Sequence, residues 1–493
     1  MNHDKEVPFK LLKKVKKVSV GNSSRNLIIH GDNLEALKAL MPYYIGKIKC
    51  IYIDPPYNTG NESWIYNDKV NSTKIKQWLG KVVGRESEDL TRHDKWLCMM
   101  YPRLKLLRDL LSDDGNIFIQ IDGNESGHLK LLLDEIFGSD NYRNQITWLR
   151  SSSGKTVSRN LSEDTDYIYW YSKSNQYTFN HVFKPLSDNT KAMYSKNDND
   201  GRGIYRLYPL QKTGGPGPQT TYDYKDNNGR IWKCPKKGWR MKFEKLKALE
   251  NDGRLHLLGN KLSEKAYWNE RENEGQIANN LWNDISNLQG NNKEKIDFAG
   301  QKPTLLIKRI INMTMGRDGL VLDSFAGTGT TAHAVLDLNK EDGGNRNFIL
   351  VEMEGHVVKD ITTERVKRAI REGKYKDGFE YCELSKPLFD AGGQIDESCD
   401  FNQFATYIYF TETQTNIDSS KIAGNFVGEH NGAEYYLIYK EKNTNVLSKS
   451  FLNKLKKSEH RKIVYADRCL VDDDILAEYK IQFKQIPYEV KVY

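Results

Sequence analysis

The chain has 493 residues and a formal net charge of +8, long enough for roughly two to four domains, with a mild basic excess that suits a polyanionic partner but more often only solvates a surface. No stretch approaches the roughly 18 to 20 consecutive apolar residues of a membrane span, and the lysine-rich residues 1–20 lack the apolar core of a secretory signal. Six scattered cysteines (Cys50, Cys98, Cys234, Cys382, Cys399 and Cys469) form no Cys-x-x-Cys pair, which leaves a zinc site and a disulfide framework without support and fits a soluble protein of a reducing cytoplasm.

In chain order, residues 10–17 alternate cations with Leu11, Leu12 and Val15 and read as a surface helix. Asp32, in the run Leu27-Ile28-Ile29-His30-Gly31-Asp32-Asn33-Leu34-Glu35-Ala36-Leu37, suits a helix N-cap. The apolar run Ile48-Lys49-Cys50-Ile51-Tyr52-Ile53 then ends at Asp54-Pro55-Pro56-Tyr57. Two prolines fix φ and lack an N–H, so the adjoining carbonyls are expected to point outward, ready to accept from an NH₂ group. Asp54 adds a second acceptor and Tyr57 a plane on which a flat ring can stack. Alone, the tetrapeptide is equally readable as an ordinary strand-ending turn.

Tyr101-Pro102-Arg103-Leu104 opens a leucine-rich helix, and residues 114–122 read as a buried parallel strand. Residues 151–289 differ in composition, carry Gly214-Gly215-Pro216-Gly217-Pro218, and are not expected to continue a regular sheet. Their interleaved aromatic and basic residues offer phosphate contacts, base-edge donors and stacking platforms. Candidates are Arg202, Arg206, Lys212, Arg230, Lys233, Lys236, Lys237 and Arg240, each also readable as a plain surface charge.

Lys302 and Pro303 start a helix whose apolar positions Leu305, Leu306, Ile307, Ile310 and Ile311 are assigned to core. The strand Leu320-Val321-Leu322-Asp323 runs into Ser324-Phe325-Ala326-Gly327-Thr328-Gly329-Thr330-Thr331 and a second helix. Gly327 and Gly329 let a ligand approach the backbone, and the N–H groups of the helix start favour an anionic group such as a carboxylate. The Lys-Ser/Thr pair of a phosphate loop is missing after Gly329, so a nucleoside triphosphate is not the expected ligand. Glu352 ends the following strand, about 20 residues past the second glycine, where a carboxylate chelates ribose hydroxyls. Beyond residue 380, the segments 406–410, 434–439 and 462–466 read as short strands, with a helix around 451–458.

Together, the Asp54-Pro55-Pro56-Tyr57 turn, the Phe325-Ala326-Gly327-Thr328-Gly329 loop and Glu352 resemble the S-adenosylmethionine-dependent DNA amino-methyltransferases. With the amine-holding turn first and the cofactor loop later, the order is that of the β group, and the chain resembles the modification subunits of type III restriction systems. The resemblance covers most of residues 1–150, including Asn58-Thr59-Gly60-Asn61, and residues 297–372, including Phe298-Ala299-Gly300-Gln301-Lys302-Pro303. It implies a doubly wound Rossmann-like α/β sheet. The expected parts are a first catalytic segment (1–150), a target-recognition insert (151–294), a second catalytic segment with the cofactor motif (295–378) and a small α/β domain (379–493). Asp54, Pro55, Pro56 and Tyr57 are implied as catalytic. Asp32, Lys302, Pro303, Asp323, Phe325, Ala326, Gly327, Thr328, Gly329, Thr330 and Glu352 are implied as holding S-adenosylmethionine, Asp32 near its adenine. Implied partners are double-stranded DNA, a second copy of the chain and a separate restriction subunit.

An exocyclic amine is a poor nucleophile while its lone pair is conjugated with the base. Asp54 and the Pro55 carbonyl would each accept one of its N–H groups, after the nucleotide has swung out of the duplex onto Tyr57; neither a metal nor a covalent intermediate is required. Adenine N6 is preferred over cytosine N4 by the resemblance alone, because aspartate first and tyrosine last is commoner among the adenine enzymes. Cys234-Pro235 reverses the order used in carbon-5 cytosine methylation. Glutamine methylation uses asparagine first and places the cofactor loop earlier. A non-catalytic DNA-binding subunit is the rival of another class.

Overall fold

The computed structural model describes residues 10–21, 25–58, 92–151, 161–258, 261–272, 274–288, 294–296, 298, 300–388, 395, 399–413, 415, 417, 421–440, 444–455 and 459–486. Thr59, Gly60, Asn61 and Ala299, quoted above, lie outside them. The chain divides into two units, one of residues 1–180 with 280–493 and one of residues 181–279.

The larger unit is built on a ten-stranded sheet. Its strands are β1 (Lys10–Lys14), β2 (Leu27–His30), β3 (Ile48–Ile53), β4 (Leu111–Ile121), β5 (Tyr142–Leu149), β6 (Thr165–Ser172), β7 (Leu281–Trp282), β8 (Asp318–Asp323), β9 (Asn345–Glu352) and β10 (Glu380–Pro387), in the spatial order β1-β10-β2-β9-β8-β3-β4-β6-β5-β7. From β10 to β4 every neighbouring pair is parallel. The central strands β2 and β3 and the later halves of β4, β8 and β9 are largely buried, which is why they read as apolar runs, whereas β10 is polar and only partly buried. Helices α1 (Asn33–Tyr44), α2 (Arg92–Leu110) and α3 (Ser126–Phe137) pack together over Ile29, Ile51, Ile53, Ile117 and Ile119. Helices α4 (Thr304–Thr314), α5 (Thr330–Asp342) and α6 (Thr363–Gly373) form a second packed group. The result is the expected doubly wound α/β sheet.

Four expectations need correction. Residues 10–14 are an edge strand, not a helix: β1 pairs antiparallel with β10, and an edge strand tolerates lysines that face solvent. The segment after residue 151 does continue the sheet, since β6 lies antiparallel between β4 and β5 and β7 extends the far edge. The averaged composition of the long insert concealed the aromatic strand Tyr167-Ile168-Tyr169-Trp170-Tyr171. Leu305 is exposed, because it lies on the opposite side of α4 from the buried Leu306, Ile307, Ile310 and Ile311. The β-prone residues 406–410 are helical within α7 (Phe401–Thr413), where Phe404, Ala405, Ile408 and Tyr409 bury one face at helical spacing.

The chain closes with a four-stranded sheet of β11 (Phe426–His430), β12 (Ala433–Leu437), β13 (Arg461–Ala466) and β14 (Ile481–Gln485) in that order, so the strands foreseen at 434–439 and 462–466 are present. Of the helix foreseen around 451–458, residues 456–458 lie outside the described residues, and the described part holds one short helical turn, Lys449–Leu452. Leu11 and Leu388 share a core cluster with Phe404, Leu437 and Ile463. The smaller unit has a three-stranded sheet, Leu255–Leu258, Lys261–Tyr267 and Tyr205–Pro209, and its own core of Leu210, Tyr224, Trp232, Trp239, Leu246 and Leu262. Among the described residues no helix is long and apolar enough to cross a membrane.

Candidate active site

Strands β3 and β8 are neighbours although far apart in the chain, with Ile51 opposite Leu322. Three residues further along each lie Asp54 and Phe325, so the two loops leave the same edge of the sheet side by side. Ligands of open α/β sheets gather at this carboxyl edge. A cleft of about 330 Å³ opens there, walled on one side by Tyr52 and Asp54 to Tyr57, and on the other by Asp323, Phe325 to Thr328, and Glu352. Phe298, Gly300 to Lys302, Thr330, Thr331, Glu354 and Val357 also line it.

The first loop is braced from beneath. Trp96 of α2 is fully buried and donates its indole N–H to the Pro56 carbonyl at 2.8 Å, so this carbonyl serves the fold. Tyr57 donates its hydroxyl to Asp166 Oδ2 at 3.0 Å. The same oxygen accepts from Gln120 Nε2 at 2.7 Å, and Tyr52 donates to Gln120 Oε1 at 2.7 Å. This buried chain across β3, β4 and β6 fixes the tyrosine ring.

Asp54 itself is split between two environments. Its Oδ2 is ion-paired to Lys302 Nζ, which also stands 5.2 Å from the centre of the Tyr57 ring. Its Oδ1 is buried and, among the described residues, has no hydrogen-bond partner. Burial pushes the Asp54 carboxyl up, Lys302 pulls it down, and the negative field of Asp166 adds to the rise.

The second loop is shaped by Gly327 and Gly329, both left-handed at φ 47° and 75°. A Cβ at Gly329 would stand 3.1 Å from Thr362 Cγ2 and 3.3 Å from Val366 Cγ2, so glycine also permits α6 and the residue before it to approach. The backbone N–H groups of Phe325, Ala326, Gly327 and Gly329 are taken by Asp323 Oδ1, the Val351 carbonyl, Glu352 Oε2 and the Ala326 carbonyl. Those four amides of the loop therefore serve its own shape. Arg365 of α6 is buried and donates to both Thr328 Oγ1 and Thr330 Oγ1 at 2.7 Å, clamping the turn.

Glu352, at the end of β9, accepts from Gly327 N at 2.9 Å through Oε2, and from Met353 N and Glu354 N at 2.9 and 3.1 Å through Oε1. Burial raises its carboxyl above the ordinary range. Asp323 accepts from Thr331 at 2.6 Å, and burial pushes its carboxyl up to about 7, with the charges of Asp54 and Glu352 adding to the shift. The cleft thus has several carboxyl groups on its floor and the aromatic rings of Phe298 and Phe325 in its walls, a setting suited to a cationic, partly aromatic ligand.

Of the site residues named from sequence, twelve line this cleft: Asp54, Pro55, Pro56, Tyr57, Lys302, Asp323, Phe325, Ala326, Gly327, Thr328, Thr330 and Glu352. Gly329 and Pro303 sit just behind it as the residues that start α5 and α4. Asp32 caps α1 by accepting from Leu34 N and Glu35 N, with Arg103 Nη2 3.6 Å away. Trp96, Gln120, Asp166 and Arg365 were missed, because a polar residue on a strand or helix carries no local mark of the partner it will meet. Most basic candidates of the smaller unit are already engaged within it: Arg202 with Asp200, Lys233 with Asp223, Arg240 with Glu264, Lys237 with the Thr213 carbonyl, and Arg206 and Arg230 over Tyr208 and Trp232. Lys236 is exposed and Lys212 half-buried.

A family model described as DNA methylase matches residues 48–364, a span holding both loops of the cleft. The chain is 36% identical over 354 residues to the type III restriction-modification enzyme StyLTI Mod subunit of Salmonella typhimurium, covering 67% of this chain and 53% of that protein. It is 31% identical to the EcoPI Mod subunit of Escherichia phage P1, over 73% of this chain and 61% of the relative. It is 32% identical to the type II methyltransferase M.KpnI of Klebsiella pneumoniae, over 70% of this chain and 84% of the relative. The chain thus spans about half to three fifths of the two Mod subunits. A match that embraces both halves of the cleft, the Asp54-Pro55-Pro56-Tyr57 turn and the glycine loop that follow adjoining strands, places this chain in the DNA methylase family.

Proposed function

We propose that the chain transfers the methyl group of S-adenosylmethionine to N6 of an adenine swung out of duplex DNA, as the modification part of a restriction-modification system. The observation that carries this reading is the meeting of Asp54 and Tyr57 with the Phe325–Thr330 loop and Glu352 at one cleft. The residues fit the cofactor: Glu352 offers carboxylate oxygens for ribose hydroxyls, an added Cβ at Gly327 would meet nothing closer than 3.9 Å, and the acidic floor suits a cationic ligand. Asp32 stands one strand beyond Glu352, since His30 pairs in register with it, on the side assigned to the adenine. When bound, S-adenosylmethionine supplies an electrophilic methyl on a sulfonium.

The protein's own residues then act on the amine. Asp54 Oδ1, buried and unpartnered, accepts one N–H, and the Pro55 carbonyl accepts the other, which localises the nitrogen lone pair. Tyr57, held by Asp166, stacks on the base. The proton shed after transfer leaves towards Asp54 or solvent. Duplex DNA as substrate, a homodimer, a separately encoded restriction subunit and a cytoplasmic location belong to the same reading, supported by the likeness to the Mod subunits.

The test is transfer of labelled methyl groups to duplex DNA by the purified protein, followed by nucleoside chromatography. N6-methyladenine is expected, and Asp54→Ala abolishes transfer while DNA binding persists. N4-methylcytosine would redirect the base assignment; label on protein or RNA, or undiminished turnover in the variant, would falsify the reading.

A further inference from the structure

Glu125, the residue before α3, is fully buried, yet among the described residues no lysine or arginine pairs with it. Its Oε1 lies 2.7 Å from His93 Nδ1 on α2, and its Oε2 lies 3.0 Å from His128 Nδ1 in the first turn of α3. The three donor atoms fall within 4.8 Å of one another. Among the described residues Oε2 has no hydrogen-bond partner, while Oε1 also accepts from the side-chain amide of Asn58, the residue after Tyr57.

A desolvated carboxylate requires a positive partner. Among the described residues the only nearby groups able to supply charge are two imidazoles whose ring centres are 4.7 Å apart, and two imidazolium ions at that separation repel. One divalent ion touching all three side chains satisfies the carboxylate and leaves both histidines neutral, the form in which imidazole is a ligand. We propose that His93, Glu125 and His128 bind one divalent first-row transition ion of the Zn²⁺ type. Two imidazole nitrogens and a carboxylate oxygen favour such an ion over Ca²⁺ or Mg²⁺, which take oxygen ligands. The histidine side chains are 32% and 45% exposed, so water can complete the coordination from outside.

The ion's place gives its role. It ties α2 to α3 and, through Glu125 and Asn58, steadies the chain immediately after Tyr57. The site is independent of which base the cleft accepts, and binding is read without turnover. It reverses the expectation of no metal, which rested on cysteine spacing; the sequence signal is Glu125-Ser126-Gly127-His128, ligands at i and i+3 where a helix begins, joined by a distant histidine.

The experiment titrates Zn²⁺ into the untagged, chelator-stripped full chain by calorimetry, with Co²⁺ absorbance as a second probe. One equivalent is expected, with binding weakened by roughly tenfold or more in His128→Ala and lost in the double variant His93→Ala with His128→Ala. Nitrogen-15 spectra of the wild-type histidine rings guard against misfolded variants: of the ten histidines, only His93 and His128 shift on Zn²⁺ addition. Absence of saturable binding of Zn²⁺ and Co²⁺ by the wild type, equal binding by a folded double variant, or shifts confined to other histidines overturns the proposal.

Discussion

Lys302 Nζ holds one oxygen of Asp54 while the other oxygen of the same carboxylate stays buried and unpartnered. The two residues come from opposite catalytic segments, so this ion pair joins the halves of the site. It also divides the work of the carboxylate. Oδ2 is anchored by a cation that favours the ionised form, and Oδ1 remains as the acceptor of an incoming amine N–H.

Replacing Lys302 by Met therefore shifts the pH dependence of methyl transfer. Burial raises the Asp54 carboxyl, Lys302 lowers it, and Tyr57 and Asp166 face it from the turn and from β6. Without the lysine only the raising influences of burial and Asp166 gain weight, so a higher pH is needed to ionise Asp54. The acid limb of kcat/KM moves to higher pH, whereas Lys302→Arg leaves it near the wild-type position. Superimposable profiles for wild type and Lys302→Met would show that the lysine does not govern Asp54.

Tyr57 has two separable functions, and paired substitutions divide them. Tyr57→Phe keeps the ring and loses the bond to Asp166; it lowers kcat by a few-fold, in line with about 1 kcal/mol for one hydrogen bond. Tyr57→Ala also removes the stacking surface, worth about 1–3 kcal/mol per base, and fails to hold the everted nucleotide. Fluorescence of 2-aminopurine at the target position reads the difference: Phe retains the rise on binding and Ala loses it. Equal signals from both variants would remove Tyr57 from base holding.

The fold was legible where burial alone decides it. The runs at residues 48–53, 114–122 and 320–323 have no polar alternation because they lie between two helical layers. The catalytic turn and the glycine loop were legible because proline and glycine mark backbone geometry locally. What failed depended on partners. Residues 406–410 have strand propensity yet bury a helical stripe, and β1 keeps its lysines because β10 supplies hydrogen bonds on its inner side. The braces of the site were invisible for the same reason: Asp166 matters only because β6 folds back beside β4 to face Gln120 and Tyr57.

Glu352 is predicted to be intolerant of its amide isostere. Both its oxygens accept from backbone N–H groups, two at Oε1 and one at Oε2. In Glu352→Gln the NH₂ must point at a donor in either orientation, leaving a buried amide unsatisfied at a cost of about 1–3 kcal/mol. Cofactor affinity, measured by calorimetry with S-adenosylmethionine, falls roughly tenfold or more, and the melting temperature drops with it. Unchanged affinity would mean that the glutamate shapes the loop without touching the ligand.

Asp323 makes the ligand-free protein sensitive to pH in a direction opposite to that of a salt-bridged carboxylate. Its folded value of about 7 lies above the ordinary 3.8, so the native state holds this proton more tightly than the unfolded chain does. The stabilisation is fully present below the unfolded value and is lost as pH rises through 7. Asp323→Asn removes that loss and keeps an acceptor for Phe325 N, while the Thr331 hydroxyl can turn to accept from the new NH₂. Melting temperatures should therefore nearly coincide at pH 4 and separate at pH 8, with the variant the more stable by an amount on the order of a few kcal/mol. Parallel curves over that range would mean that Asp323 is ionised throughout and that its burial is compensated by the two hydrogen bonds it already accepts.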